Sequence, residues 1–127
     1  MYYSKTRTAL LLSALLFVSA AQAGKLSIVI DDVGYRPHEE NAVLQMPTAI
    51  SVAVLPNAPH AHLMATKAHS QGREVLIHMP MAPLSKQPLE RDTLQPSMSS
   101  EEVQRIIRNA VNNVPFAVGM NNHMAAP

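Results

Sequence analysis

The chain contains no cysteine among its 127 residues. This absence excludes a disulfide framework, a thiolate metal site and attachment to a membrane through a lipidated cysteine. Any metal must therefore be held by imidazole and carboxylate groups. Internal repeats and low-complexity tracts are also absent from the sequence, so a repeat architecture is not indicated.

A strong charge of one sign is lacking as well. The sequence contains ten Lys and Arg and nine Asp and Glu, which gives a formal net charge of +1. Proteins that bind nucleic acid neutralise phosphates with clustered basic residues. The near-neutral balance therefore argues against a nucleic-acid partner.

No apolar run is long enough to span a membrane comfortably, because a spanning helix needs about 20 residues. Lys5 and Arg7 precede an apolar stretch over residues 8–20, and Ala21-Gln22-Ala23 supplies a small-x-small cleavage pattern. We expect residues 1–23 to be a signal peptide that exports the protein across the inner membrane to the periplasm. The alternative is an uncleaved N-terminal anchor. Cleavage would leave no stable membrane span and one small domain over residues 24–127.

Short β-branched runs alternate with helical patterns after residue 24. We expect strands over residues 25–30, 49–55, 74–77 and 116–120. The first is expected to be buried. We expect helices over residues 39–45 and 58–71 and a third that begins after Ser99. This alternation predicts parallel strands joined by right-handed crossovers in an α/β fold.

Local signals fix the ends of two helices. Asn57 is expected to cap the second helix and Gly72 to close it, and Ser99 with Glu102 matches a capping box for the third. The predicted apolar stripe of the third helix consists of Val103, Ile106, Ile107, Ala110 and Val111. Four prolines make regular structure unexpected over residues 79–98, and a loop of that length is usually functional or disordered.

Polar motifs stand at the ends of three predicted strands. They are Asp31-Asp32, His78 and Asn121-Asn122-His123. The carboxyl ends of parallel strands meet at one edge of a sheet, where ligands bind. The asparagine amides can orient His123. The sequence therefore predicts a hydrolytic centre at this edge.

Two imidazoles with one carboxylate form a catalytic zinc set that leaves a coordination position open for water. Side chains alternate along an extended strand, so Asp31 and Asp32 should point differently, one as ligand and one as base. The simpler alternatives are an aspartate pair that begins a turn and a buried structural histidine. His60, His62 and His69 lie on the second predicted helix without a chelating i, i+4 pair, and we expect them on its exposed surface.

Three motifs in order resemble the divergent polysaccharide deacetylases, relatives of the NodB-type carbohydrate esterases. They are Ile-Val-Ile-Asp-Asp-Val-Gly-Tyr at 28–35, Glu-Val-Leu-Ile-His-Met-Pro-Met at 74–81 and Gly-Met-Asn-Asn-His-Met at 119–124. The resemblance implies a distorted parallel (β/α) barrel of the NodB type. It also implies a divalent metal, usually zinc, and removal of acetyl groups from a glycan substrate.

By this resemblance Asp31 is the general base, and Asp32, His78 and His123 are the metal ligands. Asn121 and Asn122 are expected to contact substrate. The family motif continues with Gly-Ser, where this chain has Ala125-Ala126. We expect residues 24–127 to be the N-terminal part of the domain, a partial barrel of about four strands, truncated and inactive.

Two other functions remain open at this point. The chain could be a non-catalytic glycan-binding or scaffolding protein of the cell envelope that keeps the fold. It could also be a magnesium phosphohydrolase that uses Asp31 and Asp32, for which His78 and His123 would be dispensable.

Overall fold

A computed structural model describes residues 22–125, so most of the predicted signal peptide and the Ala126-Pro127 end lie outside the described residues. Within this range, strands and helices alternate along the chain. They are β1 (Val29–Val33), α1 (Pro37–Val43), β2 (Ser51–Val54), α2 (Ala61–Ser70), β3 (Val75–Pro80), α3 (Ser100–Asn113) and β4 (Ala117–His123). No helix in the described range is long and apolar enough to cross a membrane.

The strands form a single parallel sheet in the order β1-β2-β3-β4. Each connection steps to the next strand in the same direction. Because crossovers between parallel strands are almost always right-handed, this order is expected to place every helix on the same face of the sheet. This is the arrangement of a (β/α) barrel. The predicted parallel α/β fold is confirmed, and four strands are consistent with part of a barrel.

The hydrophobic core lies between the helices and one face of the two central strands. Alternate residues of these strands face it, because side chains point to opposite faces of a strand in turn. The residues that these two strands contribute to the core are Val52, Val54, Val75, Ile77 and Met79. Those from α2 and α3 are Ala61, Met64, Ala65, Ala68, Ile106 and Ala110. Leu76 and His78 consequently face the opposite side of the sheet.

The sheet curves strongly toward that opposite side. β1 and β4 are separated by two strands, which would place them about 14 Å apart in a flat sheet. Yet the Asn121 amide nitrogen Nδ2 donates to Asp31 Oδ1 at 2.9 Å, and His123 Nδ1 lies 3.1 Å from Asp32 Oδ1. Side chains from the two edge strands therefore meet, as the wall of a barrel requires.

The prediction of a buried first strand is wrong. β1 begins at Val29 rather than Lys25, and Leu26, Ile28 and Val29 are exposed. The physical reason is its position, because an edge strand has a neighbour on one side only. The strand also runs through Asp31 and Asp32 instead of stopping before them.

The second helix starts three residues later than predicted, at Ala61. Asn57 does not cap it, because its side chain is engaged elsewhere. Nδ2 donates to the Arg91 carbonyl, and Oδ1 accepts from Asn109 and Asn113. Gly72 follows the helix with a φ of +76°, which agrees with the prediction that this glycine ends the helix.

The capping residue of the third helix is confirmed, since Ser99 Oγ accepts a hydrogen bond from the Glu102 backbone N–H at 3.2 Å. Its apolar stripe is narrower than predicted. Ile106 and Ala110 are buried, whereas Val111 is exposed and lines a cleft together with residues of β4. The proline-rich loop carries one isolated bridge, between Met81 and Leu94.

Candidate metal centre

The three predicted motifs lie at the carboxyl ends of β1, β3 and β4. Register places them there, because His78 pairs with Asn121 and Pro80 pairs with His123 in the parallel β3–β4 ladder. Asp31 and Asp32 come from the far edge of the sheet. The expected gathering of these motifs at one edge is present in the structure.

The aspartate pair departs from the extended backbone that alternation assumes. Asp32 has a φ of +62°, and the pairing of β1 with β2 shifts register between Ile30 and Val33. Because of this irregularity both carboxylates turn toward His78. Asp31 Oδ1 lies 3.7 Å from His78 Nδ1, and Asp32 Oδ1 lies 3.2 Å from His78 Nε2.

Three ligand atoms form a nearly equilateral triangle. Asp32 Oδ1, His78 Nε2 and His123 Nδ1 are separated by 3.2, 3.1 and 3.1 Å. A tetrahedral metal with bonds of about 2.0–2.1 Å holds its ligand atoms about 3.3 Å from one another. The triangle therefore fits a tetrahedral ion with one open position. Within the described part of the chain, this is the one cluster of three such groups.

The cluster is anchored on one side and open on the other. The His78 side chain is 4% exposed, whereas that of Asp32 is 64% exposed. His123 lies between these extremes, packed edge-on against the His78 ring with centroids 4.8 Å apart. A buried imidazole can hold an ion in place while the exposed side admits water or substrate.

Both polar atoms of the Asn121 amide make hydrogen bonds within the cluster. Oδ1 lies 2.7 Å from His78 Nδ1, and Nδ2 donates to Asp31 Oδ1. The expectation that the asparagines orient His123 is therefore wrong for Asn121, which is bonded to His78. Asn122 contributes neither to the triangle nor to these bonds. The expected substrate contacts of both asparagines stay predictions.

A cavity of about 470 Å³ adjoins the triangle at Asp32 and His123. Its other lining residues were not predicted from the sequence. They are Tyr35, Arg36, Glu40, Leu55 and Glu90. Most of these residues are polar, so the cavity offers hydrogen-bonding groups beside the ligand atoms.

Tyr35 joins two walls of this cavity. Its hydroxyl donates to Glu90 Oε2 at 2.5 Å, across 55 residues of sequence. This hydrogen bond to a carboxylate, with partial burial and the negative charge of Glu90, raises the pKa of Tyr35 to about 12. No sequence signal indicated the pair, because its members come from a turn and from the proline-rich loop.

Glu40 holds the turn after the aspartate pair. Its Oε1 accepts from the backbone N–H groups of Gly34 and Arg36, at 2.8 and 3.2 Å. Pro37 begins α1, and Glu39-Glu40 follow in its first turn. This pattern could have indicated that a glutamate side chain accepts hydrogen bonds from the preceding turn. Glu40 Oε2 is buried and has no hydrogen-bond partner among the described residues.

Comparisons with known proteins agree with these motifs. Residues 28–126 match the family described as divergent polysaccharide deacetylase. The chain is 69% identical over 121 residues to the uncharacterized protein YibQ of Escherichia coli K12, covering 94% of this chain and 38% of that protein. It is 44% identical over 124 residues to an uncharacterized protein of Haemophilus influenzae, covering 97% and 44%.

The chain thus spans less than half the length of these curated relatives. Among solved structures, the uncharacterized protein ATU2773 of Agrobacterium tumefaciens C58 superposes with a TM-score of 0.72 at 16% identity. The match covers 84% of this chain and 44% of that one, and it shows a shared fold. With the family match extending over most of its length, the chain belongs to the divergent polysaccharide deacetylase family.

Proposed function

We propose that this chain carries the metal centre of an exported, metal-dependent deacetylase that removes acetyl groups from a glycan. The observation that carries the proposal is the triangle of Asp32 Oδ1, His78 Nε2 and His123 Nδ1, whose sides of 3.1–3.2 Å suit a tetrahedral ion. Two nitrogens and one oxygen, with no sulfur, favour zinc. A bound zinc ion would polarise the acetyl carbonyl and lower the pKa of water.

The protein groups divide the remaining work. His78 is buried and fixes one corner of the triangle, while the exposed Asp32 and His123 border the cavity through which substrate would arrive. Asp31 is the proposed proton acceptor. Its contacts with Asn121 and His78 are both made through Oδ1, which leaves Oδ2 to receive a proton.

The substrate class follows from the family and from the cavity. Hydroxyl-rich sugars are recognised by carboxylates, guanidinium groups and phenol hydroxyls, and Glu90, Arg36 and Tyr35 supply these at the cavity. Export to the periplasm is part of the proposal. It rests on Lys5 and Arg7 before the apolar segment and on the Ala21-Gln22-Ala23 cleavage pattern.

The test is metal binding by the full chain, measured by elemental analysis and by zinc titration. We expect about one zinc per chain, lost in His78→Ala and in His123→Ala. His62→Ala is the matched control, because His62 is an exposed histidine on α2 and should leave the stoichiometry unchanged. Zinc binding that survives His123→Ala would contradict the proposed centre.

Turnover is tested separately, by acetate release from acetylated glycan oligomers. Because this chain spans less than half the length of its curated relatives, we expect it to release no acetate by itself, and the zinc-loaded full-length Escherichia coli relative serves as the enzyme. We expect replacement of the aspartate equivalent to Asp31 by asparagine to abolish release there without loss of zinc. Zinc binding with no acetate release by that relative would instead favour a non-catalytic glycan-binding protein. Magnesium-dependent phosphate release that survives His78→Ala would favour a phosphohydrolase.

A further inference from the structure

The Asn121 side chain bridges two functional groups that come from different strands. Asp31 lies on β1 and His78 on β3, and the amide of Asn121 on β4 lies within 2.9 Å of the first and 2.7 Å of the second. The three residues share the face of the sheet opposite the helices. Asn121 can reach Asp31 across the sheet because the sheet curves toward that face.

The direction of each hydrogen bond follows from the chemistry of the carboxylate. An ionised carboxylate only accepts hydrogen bonds, so the amide must present its NH₂ group to Asp31. The amide oxygen then faces His78 Nδ1. Because this oxygen only accepts, His78 Nδ1 must carry a hydrogen and donate it.

This direction determines what His78 presents to the triangle. A neutral imidazole protonated at Nδ1 has its lone pair on Nε2. His78 Nε2 is the atom that lies 3.2 Å from Asp32 Oδ1 and 3.1 Å from His123 Nδ1. The lone pair therefore points to the place where the three ligand atoms converge.

We propose that Asn121 is a positioning residue that sets the tautomer of His78 and holds Asp31 in the same network. This inference builds on the proposed function, since it assigns Asn121 to the support of the metal centre. Ligand imidazoles commonly donate their second N–H to an outer partner, and loss of that partner typically weakens metal affinity about 10–100-fold. Here the partner is an amide that is itself oriented by Asp31.

Imidazole ¹⁵N NMR of the metal-free full chain in mildly alkaline buffer tests the tautomer directly. His78→Gln identifies the His78 signals. We expect the wild-type His78 to be protonated at Nδ1, Asn121→Ala to shift it toward the Nε2-protonated form, and Asn121→Asp to retain Nδ1 protonation because a carboxylate still accepts. Asn122→Ala is the matched neighbouring control and should leave the His78 signals unchanged.

Zinc titration supplies a second measurement on the same variants. We expect Asn121→Ala to weaken zinc affinity about 10–100-fold and Asn122→Ala to leave it unchanged. Nε2 protonation of wild-type His78, or signals unaltered by Asn121→Ala in a folded chain, would overturn the inference. A chain that binds no zinc but shows Nδ1-protonated His78 dependent on Asn121 would refute the metal proposal and leave the tautomer assignment standing.

Discussion

Asp31 and Asp32 are neighbours in sequence but occupy different sides of the same imidazole. Asp31 lies on the Nδ1 side of His78 and Asp32 on the Nε2 side. The left-handed φ of +62° at Asp32 makes this possible, because an extended backbone would send the two carboxylates to opposite faces. Aspartate adopts this conformation at a lower cost than bulkier residues. The local backbone therefore decides which carboxylate can reach a metal.

Gly34 closes this turn, and we expect Gly34→Ala to destabilise the protein by about 2–4 kcal/mol. Its φ is +130°, and an added Cβ would lie 2.6 Å from Ala58 Cβ. Urea unfolding measures the change. Gly72→Ala is the control, since Gly72 also has a positive φ but nothing lies within 4 Å of the added carbon. That variant should lose only about 1–2 kcal/mol. Equal losses in the two variants would show that the Ala58 contact is unimportant.

The Tyr35 hydroxyl should lose its proton only near its raised pKa of about 12. Since the pKa is raised by donation to the Glu90 carboxylate, the stabilisation is complete below the ordinary tyrosine pKa of about 10 and is lost as pH rises through about 12. The difference in tyrosinate absorbance between the wild type and Tyr35→Phe isolates this residue.

We expect Glu90→Gln to bring the Tyr35 pKa back toward its ordinary value, because a neutral amide favours the protonated phenol less than a carboxylate does. Glu39→Gln removes an exposed glutamate outside this pair and serves as the control. A Tyr35 pKa that Glu90→Gln leaves unaltered would show that the hydrogen bond is not its cause.

Arg73 shows how one side chain joins elements of the fold. It is 2% exposed and precedes β3. Its guanidinium donates to the carbonyls of Met46, Pro47 and Ile50, which form the connection from α1 to β2. The connection has little regular structure, so these bonds satisfy carbonyl groups that lack helix or sheet partners.

Replacing Arg73 by Met keeps much of the buried volume but removes the donors. We expect a loss of roughly 3 kcal/mol in the free energy of unfolding, because three hydrogen bonds from a charged donor to the connection are lost. Arg108→Met is the control, since Arg108 is exposed and donates to Gln104 on the same helix. It should change stability by less than about 0.5 kcal/mol. Thermal or urea unfolding measures both, and an equal effect of the two variants would contradict the proposed role of Arg73.

At the scale of the whole described molecule, β4 is an edge strand of the sheet, and an apolar surface lies next to its free edge. Val111, Phe116, Val118 and Met120 are exposed there and line a cleft of about 340 Å³. Exposed sheet edges with apolar side chains pair readily with other chains. We therefore expect the chain to self-associate as its concentration rises.

A charge placed on this surface should reduce the association. Val118 is 69% exposed, and Val118→Lys should shift the chain toward monomer in sedimentation velocity. Leu84→Lys is the control, because Leu84 is an 83% exposed apolar residue of the proline-rich loop, away from β4. Association that responds equally to both variants would indicate a non-specific hydrophobic effect rather than pairing through β4.

Local patterns in the sequence predicted much of this arrangement. Alternation of strands and helices predicted the parallel sheet, and Ser99 predicted its helix start. Strand topology predicted that Asp31, Asp32, His78 and His123 gather, because parallel strands direct their carboxyl ends to one edge, and the family resemblance assigned Asp32 to the metal. These signals depend on residues close in sequence or on a general rule of topology.

Contacts between distant residues were decided by tertiary structure alone. The sequence did not indicate that Asn121 would bond Asp31 and His78, that Tyr35 would meet Glu90, or that the start of β1 would be exposed. Each depends on sheet curvature, strand register or edge position. The sequence by itself determined which ligand types are available and the edge at which they gather. The curved sheet and the irregular backbone at Asp32 decided which atoms of these residues converge, because such geometry arises from packing between segments and leaves no local periodicity.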